Sequence, residues 1–152
     1  MMLVLKSRSL LLTAFVILAS HVAFAANDPT VDPCTLVTKA EAEQIIGKVK
    51  NTPVSSRVER VTICEFTFVD EKNALELWIF PAEGLDRAKK LIKDLSPVSG
   101  LGQEAFMTRN KDIPYMELYT KKGDVTLKVM MKETPGVEEK VKLLAKKALS
   151  RL

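Results

Sequence analysis

The two cysteines of the chain, Cys34 and Cys64, constrain its fold more than any other feature of the sequence. They stand at the two ends of a segment that contains a short predicted helix and a long predicted loop. In an oxidising compartment, two cysteines most simply pair with each other. Such a cross-link would stabilise the fold by about 3 to 4 kcal/mol on the chain-entropy estimate. Free thiols or a redox-active pair are the alternative, although the wide spacing is unlike a Cys-x-x-Cys motif.

The first 25 residues have the pattern of a secretory signal peptide. Lys6 and Arg8 form a positive n-region, residues 10–19 are an apolar h-region, and Ala23-Phe24-Ala25 has the small-x-small form of a cleavage site. The apolar run is shorter than the roughly 20 residues of a transmembrane helix, so an uncleaved anchor is the weaker alternative. We therefore predict that residues 1–25 are a signal peptide.

Cleavage before Ala26 would leave a single domain, residues 26–152, in the periplasm or secreted from the cell. No later stretch is long and apolar enough to span a membrane, so we expect no transmembrane span after cleavage. A lipoprotein signal needs a cysteine at the position of His21, which excludes lipid attachment there. The predicted product is an exported domain without a lipid anchor at this site.

His21 is the only histidine of the chain, and it would leave with the signal peptide. Its loss excludes Ser-His and Cys-His nucleophile pairs, histidine-based zinc sites and a histidine general base. Residues 1–25 hold two basic and no acidic residues, so cleavage lowers the net charge from +4 to +2. A balance this mild does not favour nucleic-acid binding. We predict no cofactor and no catalytic residue.

Hydrophobic periodicity predicts an α+β fold with a mainly antiparallel five-stranded sheet packed with helices. Thr38 and Glu41 have the spacing of a capping box, which places the start of the first helix. The predicted order is α-β-β-α-β-β-β-α: a helix over 38–46, a loop over 48–57, strands over 62–69 and 74–80, a helix over 85–95, strands over 104–108, 115–121 and 125–131, and a last helix from Pro135 with Thr134 as its cap.

Six short motifs spread over residues 33–124 carry a family resemblance. They are Pro33-Cys34-Thr35-Leu36-Val37-Thr38, Glu41, Gly47, Cys64-Glu65-Phe66, Gly100-Leu101-Gly102-Gln103-Glu104-Ala105-Phe106 and Lys122-Gly123-Asp124. Together they resemble a group of small exported bacterial domains of unknown function, many of which are lipoproteins of actinobacteria. The resemblance implies a disulfide between the matching cysteines, an α+β fold similar to that of the extrinsic PsbP protein of photosystem II, and an envelope location. It implies no catalytic residues.

Four aromatic residues are the candidate binding surface: Trp78, Phe80, Tyr115 and Tyr119. If one face of the sheet is partly open between helices, these rings would line it, and aromatic rings are favoured in ligand pockets and interfaces. The alternative is a second, covered core layer.

Three other groups of residues have both a functional and a structural interpretation. Glu104, Glu117 and Asp124 could supply an acid pair for glycan hydrolysis, or be scattered solvated carboxylates. Four methionines could offer thioethers to Cu(I), or fill gaps in the core. Basic residues of the last helix could make weak contact with an anionic surface, or form a solvated helix face. The methionines are Met107, Met116, Met130 and Met131, and the basic residues are Lys140, Lys142, Lys146, Lys147 and Arg151.

These observations lead to three hypotheses. The leading one is an exported, non-catalytic module that binds an envelope protein or a small apolar ligand on an aromatic sheet face. The second is a carboxylate-based hydrolase of cell-envelope glycans, which requires two acids facing each other in one cleft. The third is an inhibitor or accessory subunit that acts by occupying another envelope protein.

Overall fold

The computed structural model describes residues 30–110 and 112–152 of the chain. The predicted signal peptide, including His21, lies outside these residues. A 3-10 turn at Pro33–Thr35 precedes the first helix. The remaining elements are α1 Lys39–Ile45, β1 Val54–Val58, β2 Val61–Thr67, β3 Ala74–Pro81, α2 Gly84–Leu91, β4 Ser96–Pro97, β5 Glu104–Arg109, β6 Tyr115–Lys122, β7 Val125–Lys132 and α3 Val137–Leu149.

The strands form one antiparallel sheet in the order β1-β2-β3-β7-β6-β5-β4. The α+β class is confirmed, but the predicted count of five strands is wrong, because the described residues form seven. The predicted element order is wrong for the same reason: β1 and β4 were not expected. Both are edge strands, at the two ends of the sheet.

The missed edge strands lack the apolar alternation that reveals a strand in a sequence. All five residues of β1 are exposed, and the strand is held by its backbone pairing with β2. The turn between them, Glu59-Arg60, is not an Asn-Gly or Asp-Gly pair, although Glu59 has the left-handed φ of 52° that such turns use. At the other edge, β4 has only two residues, Ser96 and Pro97.

The main core lies between the sheet and the helices α1 and α3. Alternation along β3 directs Leu75, Leu77 and Ile79 into this core, as predicted, and leaves Trp78 and Phe80 on the opposite face. The stripe of α3 that contains Val141, Leu144 and Ala148 covers these strands. The shorter helix α2 packs on the opposite face of the sheet, which gives the fold three layers.

The disulfide between Cys34 and Cys64 is present, with a sulfur–sulfur distance of 2.03 Å. It joins the 3-10 turn before α1 to β2, and Cys64 is fully buried in the core. The predicted pairing is therefore confirmed. No helix of the described residues is long and apolar enough to cross a membrane.

Both later helices differ from the prediction at one end. The second helix ends at Leu91 instead of residue 95, because Ile92 takes an extended conformation and packs against the small core under α2. The last helix begins at Val137, after Gly136 in a left-handed conformation with φ of 73°, and Thr134 does not cap it. A glycine adopts this conformation without steric cost, so the chain turns after Pro135 instead of continuing as helix.

Glu41 ties the start of α1 to the end of α3. The predicted capping box is confirmed: the Thr38 N–H donates to Glu41 Oε2 at 2.9 Å, and the Glu41 N–H donates to Thr38 Oγ1 at 3.2 Å. Arg151 donates to both carboxylate oxygens, at 2.8 and 2.9 Å, and Lys147 lies 3.3 Å away. The Arg151 hydrogen bonds are the main reason that the pKa of Glu41 lies well below its usual range.

Removing the disulfide will destabilise the domain. We expect the double variant Cys34→Ser/Cys64→Ser to lose about 3 kcal/mol in free energy of unfolding, because a cross-link across this sequence separation restricts the unfolded chain. Urea unfolding of the wild type and the variant, each with and without a reducing agent, measures the loss. A wild-type midpoint that does not change on complete reduction would contradict this account.

The Glu41 clamp predicts a specific acid sensitivity. Because the folded-state pKa of Glu41 is depressed, its stabilising effect is present above the unfolded value of 4.5 and is lost as the pH falls below it. Glu41→Gln should cost about 1 to 2 kcal/mol at pH 7 and less at pH 3. Thermal unfolding over that pH range tests this, with the exposed Glu71→Gln substitution as a comparison. An equal loss at both pH values would refute it.

Candidate functional site

Helix α2 is held on the sheet by a small set of specific contacts. The Leu85 N–H donates to Thr126 Oγ1 at 3.1 Å, and that hydroxyl donates to the Ala82 carbonyl at 3.1 Å. Gly84 permits the close approach, because a Cβ there would lie 2.6 Å from Phe80 Cβ. Leu85 and Ala88 then pack with Tyr119 in a second, smaller core. These contacts fix the position of α2 relative to the aromatic residues below it.

A cleft of about 500 Å³ opens between α2, the β1–β2 turn and the sheet, and we call it the α2 cleft. Two aromatic side chains, Phe80 and Tyr119, lie at its floor. Leu91 stands at its mouth and is 75% exposed. The lining residues are Glu59, Arg60, Val61, Phe80, Pro81, Glu83, Gly84, Arg87, Ala88, Leu91, Ile92, Glu117 and Tyr119.

A buried ion pair supports the floor of the α2 cleft. Lys128 is 8% exposed and Glu117 is 7% exposed, and Lys128 Nζ lies 3.7 Å from Glu117 Oε1. The Tyr119 hydroxyl donates to the other oxygen of Glu117 at 2.6 Å. The Lys128 ammonium also lies 4.2 Å from the centre of the Trp78 ring system and 5.8 Å from that of Tyr119. Such cation–π contacts add to the attraction between opposite charges.

The electrostatics of this cluster follow from its burial. Burial lowers the pKa of Lys128, and the nearby carboxylates of Glu117 and Glu76 oppose that effect. Burial also raises the pKa of the Tyr119 hydroxyl, and its hydrogen bond to Glu117 raises it further. Tyr119 is therefore a hydrogen-bond donor across the physiological pH range. The charges at the floor compensate each other, and the apolar parts of the rings face the cleft.

The structure brings together three of the four predicted aromatic residues. Trp78 and Phe80 stack with ring centres 5.9 Å apart, and Trp78 Nε1 donates to Glu76 Oε2 at 2.7 Å. Trp78 lies opposite Lys128, which lies opposite Tyr119, so the three form a row across β3, β7 and β6. Tyr115 is on the same face as Tyr119 but four residues along the strand, opposite Lys132, and it does not line the α2 cleft.

Sequence reasoning missed Lys128, Arg87 and the cleft that they help to form. The alternation of β7 did contain a signal, because Thr126 and Lys128 fall between the apolar residues Val125, Leu127 and Val129. A lysine in the middle of a strand, next to a threonine of the same face, indicates that this face carries a polar cluster or is open. The partners of Lys128 depend on the register between strands, which no local pattern supplies.

The three acids considered for hydrolysis do not converge. Glu104 forms an ion pair with Lys89. It lies opposite Lys121, and Lys121 is four residues from Glu117 along β6. At about 3.3 Å per residue, this places the two backbones about 13 Å apart. Each carboxylate is also held by a different lysine, Glu104 by Lys89 and Glu117 by Lys128. Asp124 lies in the exposed turn after β6, farther still from Glu117.

The methionines lie on both faces of the sheet. Met116 and Met131 are opposite each other and buried in the main core, with Met107 packed against it. Met130 is paired with Glu117, on the other face. Among the described residues, no three or more His, Cys, Asp or Glu side chains are grouped to hold a metal. The methionine pattern fits core packing.

Several basic residues of the predicted last helix form ion pairs within the domain, although Arg151 lies two residues beyond the end of α3. Lys147 and Arg151 pair with Glu41, and Lys142 pairs with Glu139 at 2.9 Å. Lys140 is half-buried, and Lys146 is exposed. The surface that this helix presents to solvent therefore has less uncompensated positive charge than its sequence indicates.

A larger cavity, about 650 Å³, lies at the end of the sheet where Arg109 pairs with Glu133 at 3.1 Å. Seven of its eleven lining residues are polar or charged, among them Asp94, Asp112 and Glu138. Ligand-binding clefts are predominantly apolar with a few placed polar groups. The α2 cleft is closer to that composition, because eight of its thirteen lining residues are apolar or aromatic, counting Gly84, and five are charged. We therefore take it as the candidate site.

No family model, curated protein or solved structure matched this chain in the three comparisons that we made. The resemblance to small exported bacterial domains, and the likeness to the PsbP fold that it implies, therefore stay predictions. The function rests on the physical chemistry of the site.

Breaking the buried ion pair should destabilise the domain strongly. Glu117→Gln leaves the Lys128 ammonium buried without its carboxylate, and we expect a loss of about 3 kcal/mol. The double variant Glu117→Gln/Lys128→Met removes the unpaired charge and should recover much of that loss. Urea unfolding measures both effects. Glu104→Gln, which breaks the exposed pair with Lys89, is the control and should cost less than about 1 kcal/mol. A double variant less stable than Glu117→Gln alone would contradict the account.

Proposed function

We propose that this protein is an exported, non-catalytic binding module of the bacterial envelope, and that the α2 cleft is its ligand site. The observation that carries the proposal is a cleft with the rings of Phe80 and Tyr119 at its floor and an exposed Leu91 at its mouth. The signal-peptide pattern of residues 1–25 and the disulfide support a periplasmic or secreted location, since disulfides persist in oxidising compartments.

The dimensions and lining of the α2 cleft favour a small apolar ligand, or an apolar side chain of a partner protein. Its volume of about 500 Å³ falls within the range of small-molecule sites. Burial of Leu91 by an occupant would contribute favourable free energy, because this large apolar side chain is 75% exposed without one. The rings at the floor add contact area at a low cost in conformational entropy.

The polar groups at the floor favour binding over catalysis. Glu117 accepts from Tyr119 and pairs with Lys128, so its carboxylate is already engaged. Residues 26–152 contain no histidine to act as a general base. The remaining acids considered for hydrolysis are separated along the sheet. A pre-organised floor of this kind orients a ligand without taking part in a reaction.

An exposed apolar side chain at the mouth offers a direct test of the site. The neutral probe N-phenyl-1-naphthylamine should bind the wild type and quench the fluorescence of Trp78, which stacks on Phe80 at the floor. Leu91→Glu should weaken binding about tenfold, because it removes apolar area worth about 1.4 kcal/mol.

Leu143→Glu, which changes an exposed leucine of α3 on the other side of the sheet, is the matched control and should bind the probe like the wild type. Circular dichroism checks that both variants remain folded. If the probe does not bind, or if both substitutions weaken it equally, the α2 cleft is not the ligand site.

A further inference from the structure

The two edges of the sheet differ in their capacity to pair with another strand. Strand β4, at one edge, has only two residues, and one of them is Pro97. Short strands and prolines prevent a sheet edge from pairing with another chain. Strand β1, at the other edge, has five residues, all exposed, and no proline. Of the described residues, only those of β2 pair with β1, so its outer side is where this sheet can accept a further strand.

Two large apolar side chains of β1 are exposed at this edge. Val54 is 63% exposed and Val58 is 61% exposed. Both lie on the sheet face that carries α2, because Val58 is opposite Val61, which lines the α2 cleft, and alternate residues of a strand share a face. A strand paired with β1 would cover part of this apolar surface, and that burial is favourable.

The pairing with β2 determines which main-chain groups of β1 point outward. Val58 and Val61 close a two-residue turn, and residues that close such a turn are hydrogen-bonded to each other. Bonded and non-bonded positions alternate along an antiparallel pair, so Val54, Ser56 and Val58 direct their N–H and C=O groups to β2. The main-chain groups of the two positions between them point to the outer edge, where an incoming strand would meet them.

The sequence of β1 is complementary to itself in an antiparallel pairing centred on Ser56. In that register Ser56 lies opposite Ser56 of a second copy, and each Val54 lies opposite Val58. Each Arg57 lies opposite Ser55, so like charges, which destabilise a cross-strand pair, are not directly opposed. Positions 55 and 57 are also the two whose main-chain groups point outward, so each such pair can exchange both of its hydrogen bonds.

We propose that two copies of the chain form a twofold-symmetric dimer by antiparallel pairing of their β1 strands, with the axis at Ser56. The same residues of each copy form the contact, as a twofold axis requires. The two sheets become one, and both α2 clefts lie on the same face of it. The contact involves far fewer residues than the 20 to 30 a side of a standard interface, so we expect a dissociation constant of about 10 to 100 μM. The dimer and the ligand site are independent of each other.

Engineered cysteines test the register of the pairing. Opposed residues at a non-hydrogen-bonded position have Cα atoms about 4.5 Å apart, within the range of a disulfide. Ser56→Cys should therefore form an intermolecular disulfide under mild oxidation, seen as a dimer on a non-reducing gel. Val54→Cys, on the same exposed face, is the matched control. Its two copies would lie about 13 Å apart across the axis and should cross-link at least about tenfold less. An equimolar mixture of Val54→Cys and Val58→Cys should cross-link.

Charge exchange tests the apolar contact of the same dimer. Sedimentation velocity of the wild type should show the mass rising from one chain toward two between about 5 μM and 1 mM. The double variants Val54→Lys/Val58→Lys and Val54→Glu/Val58→Glu each place like charges opposite one another, and each alone should weaken the dimer at least about tenfold. Their equimolar mixture should associate again. Leu143→Lys, at an exposed leucine of α3, is the control and should dimerise like the wild type.

Three outcomes would overturn the proposal. The first is a wild type that stays monomeric up to about 1 mM. The second is a dimer that neither charged double variant weakens, because its contact then lies elsewhere on the surface. The third is equal cross-linking of Ser56→Cys and Val54→Cys, which indicates random collision. Circular dichroism checks that every variant is folded, and the single cysteine variants decide the question if a charged double variant is not.

Discussion

The pairing of Lys128 with Glu117 allows the sheet face that carries the candidate site to be partly buried although it holds charged residues. A lysine in the middle of a central strand must be desolvated, and desolvation lowers its pKa. The cost of desolvating Lys128 is offset by the carboxylates of Glu117 and Glu76 and by the rings of Trp78 and Tyr119. Because these groups satisfy one another, the face can be partly buried under α2 and still present apolar ring surface to the cleft above it.

The opposite face of the sheet provides the stability that a partly open face cannot. Leu77, Leu118 and Val129 are fully buried there beneath α3. The Cys34–Cys64 disulfide and the Glu41 clamp attach the N-terminal turn, α1 and the end of α3 to this core. Lys147 of α3 and Arg151, two residues beyond the end of this helix, form that clamp with Glu41. The fold thus has one sheet face that provides most of the buried core and another that carries the candidate site.

The sequence predicted the elements whose residues are buried on one side, and it missed those that are not. Strand β3 and helix α3 were recognisable because their apolar residues recur with the period of a strand or a helix. Strand β1 was missed because it is wholly exposed and depends on backbone pairing with β2. Pairing between strands that are distant in the sequence places Lys128 between Trp78 and Tyr119, and no local pattern encodes it. The aromatic residues of the site were therefore predictable, but their charged partners and the cleft were not.

The central claim is that the α2 cleft is the site of an apolar ligand, and photocrosslinking tests it most directly. An analogue of N-phenyl-1-naphthylamine that carries a diazirine is irradiated with the protein, and the modified residues are identified by mass spectrometry. The account predicts one labelled molecule per chain, attached at Phe80, at residues 87–91 of α2 or at Tyr119, and displaced by unlabelled N-phenyl-1-naphthylamine. Labelling of α3, or labelling scattered over the surface without competition, would contradict it.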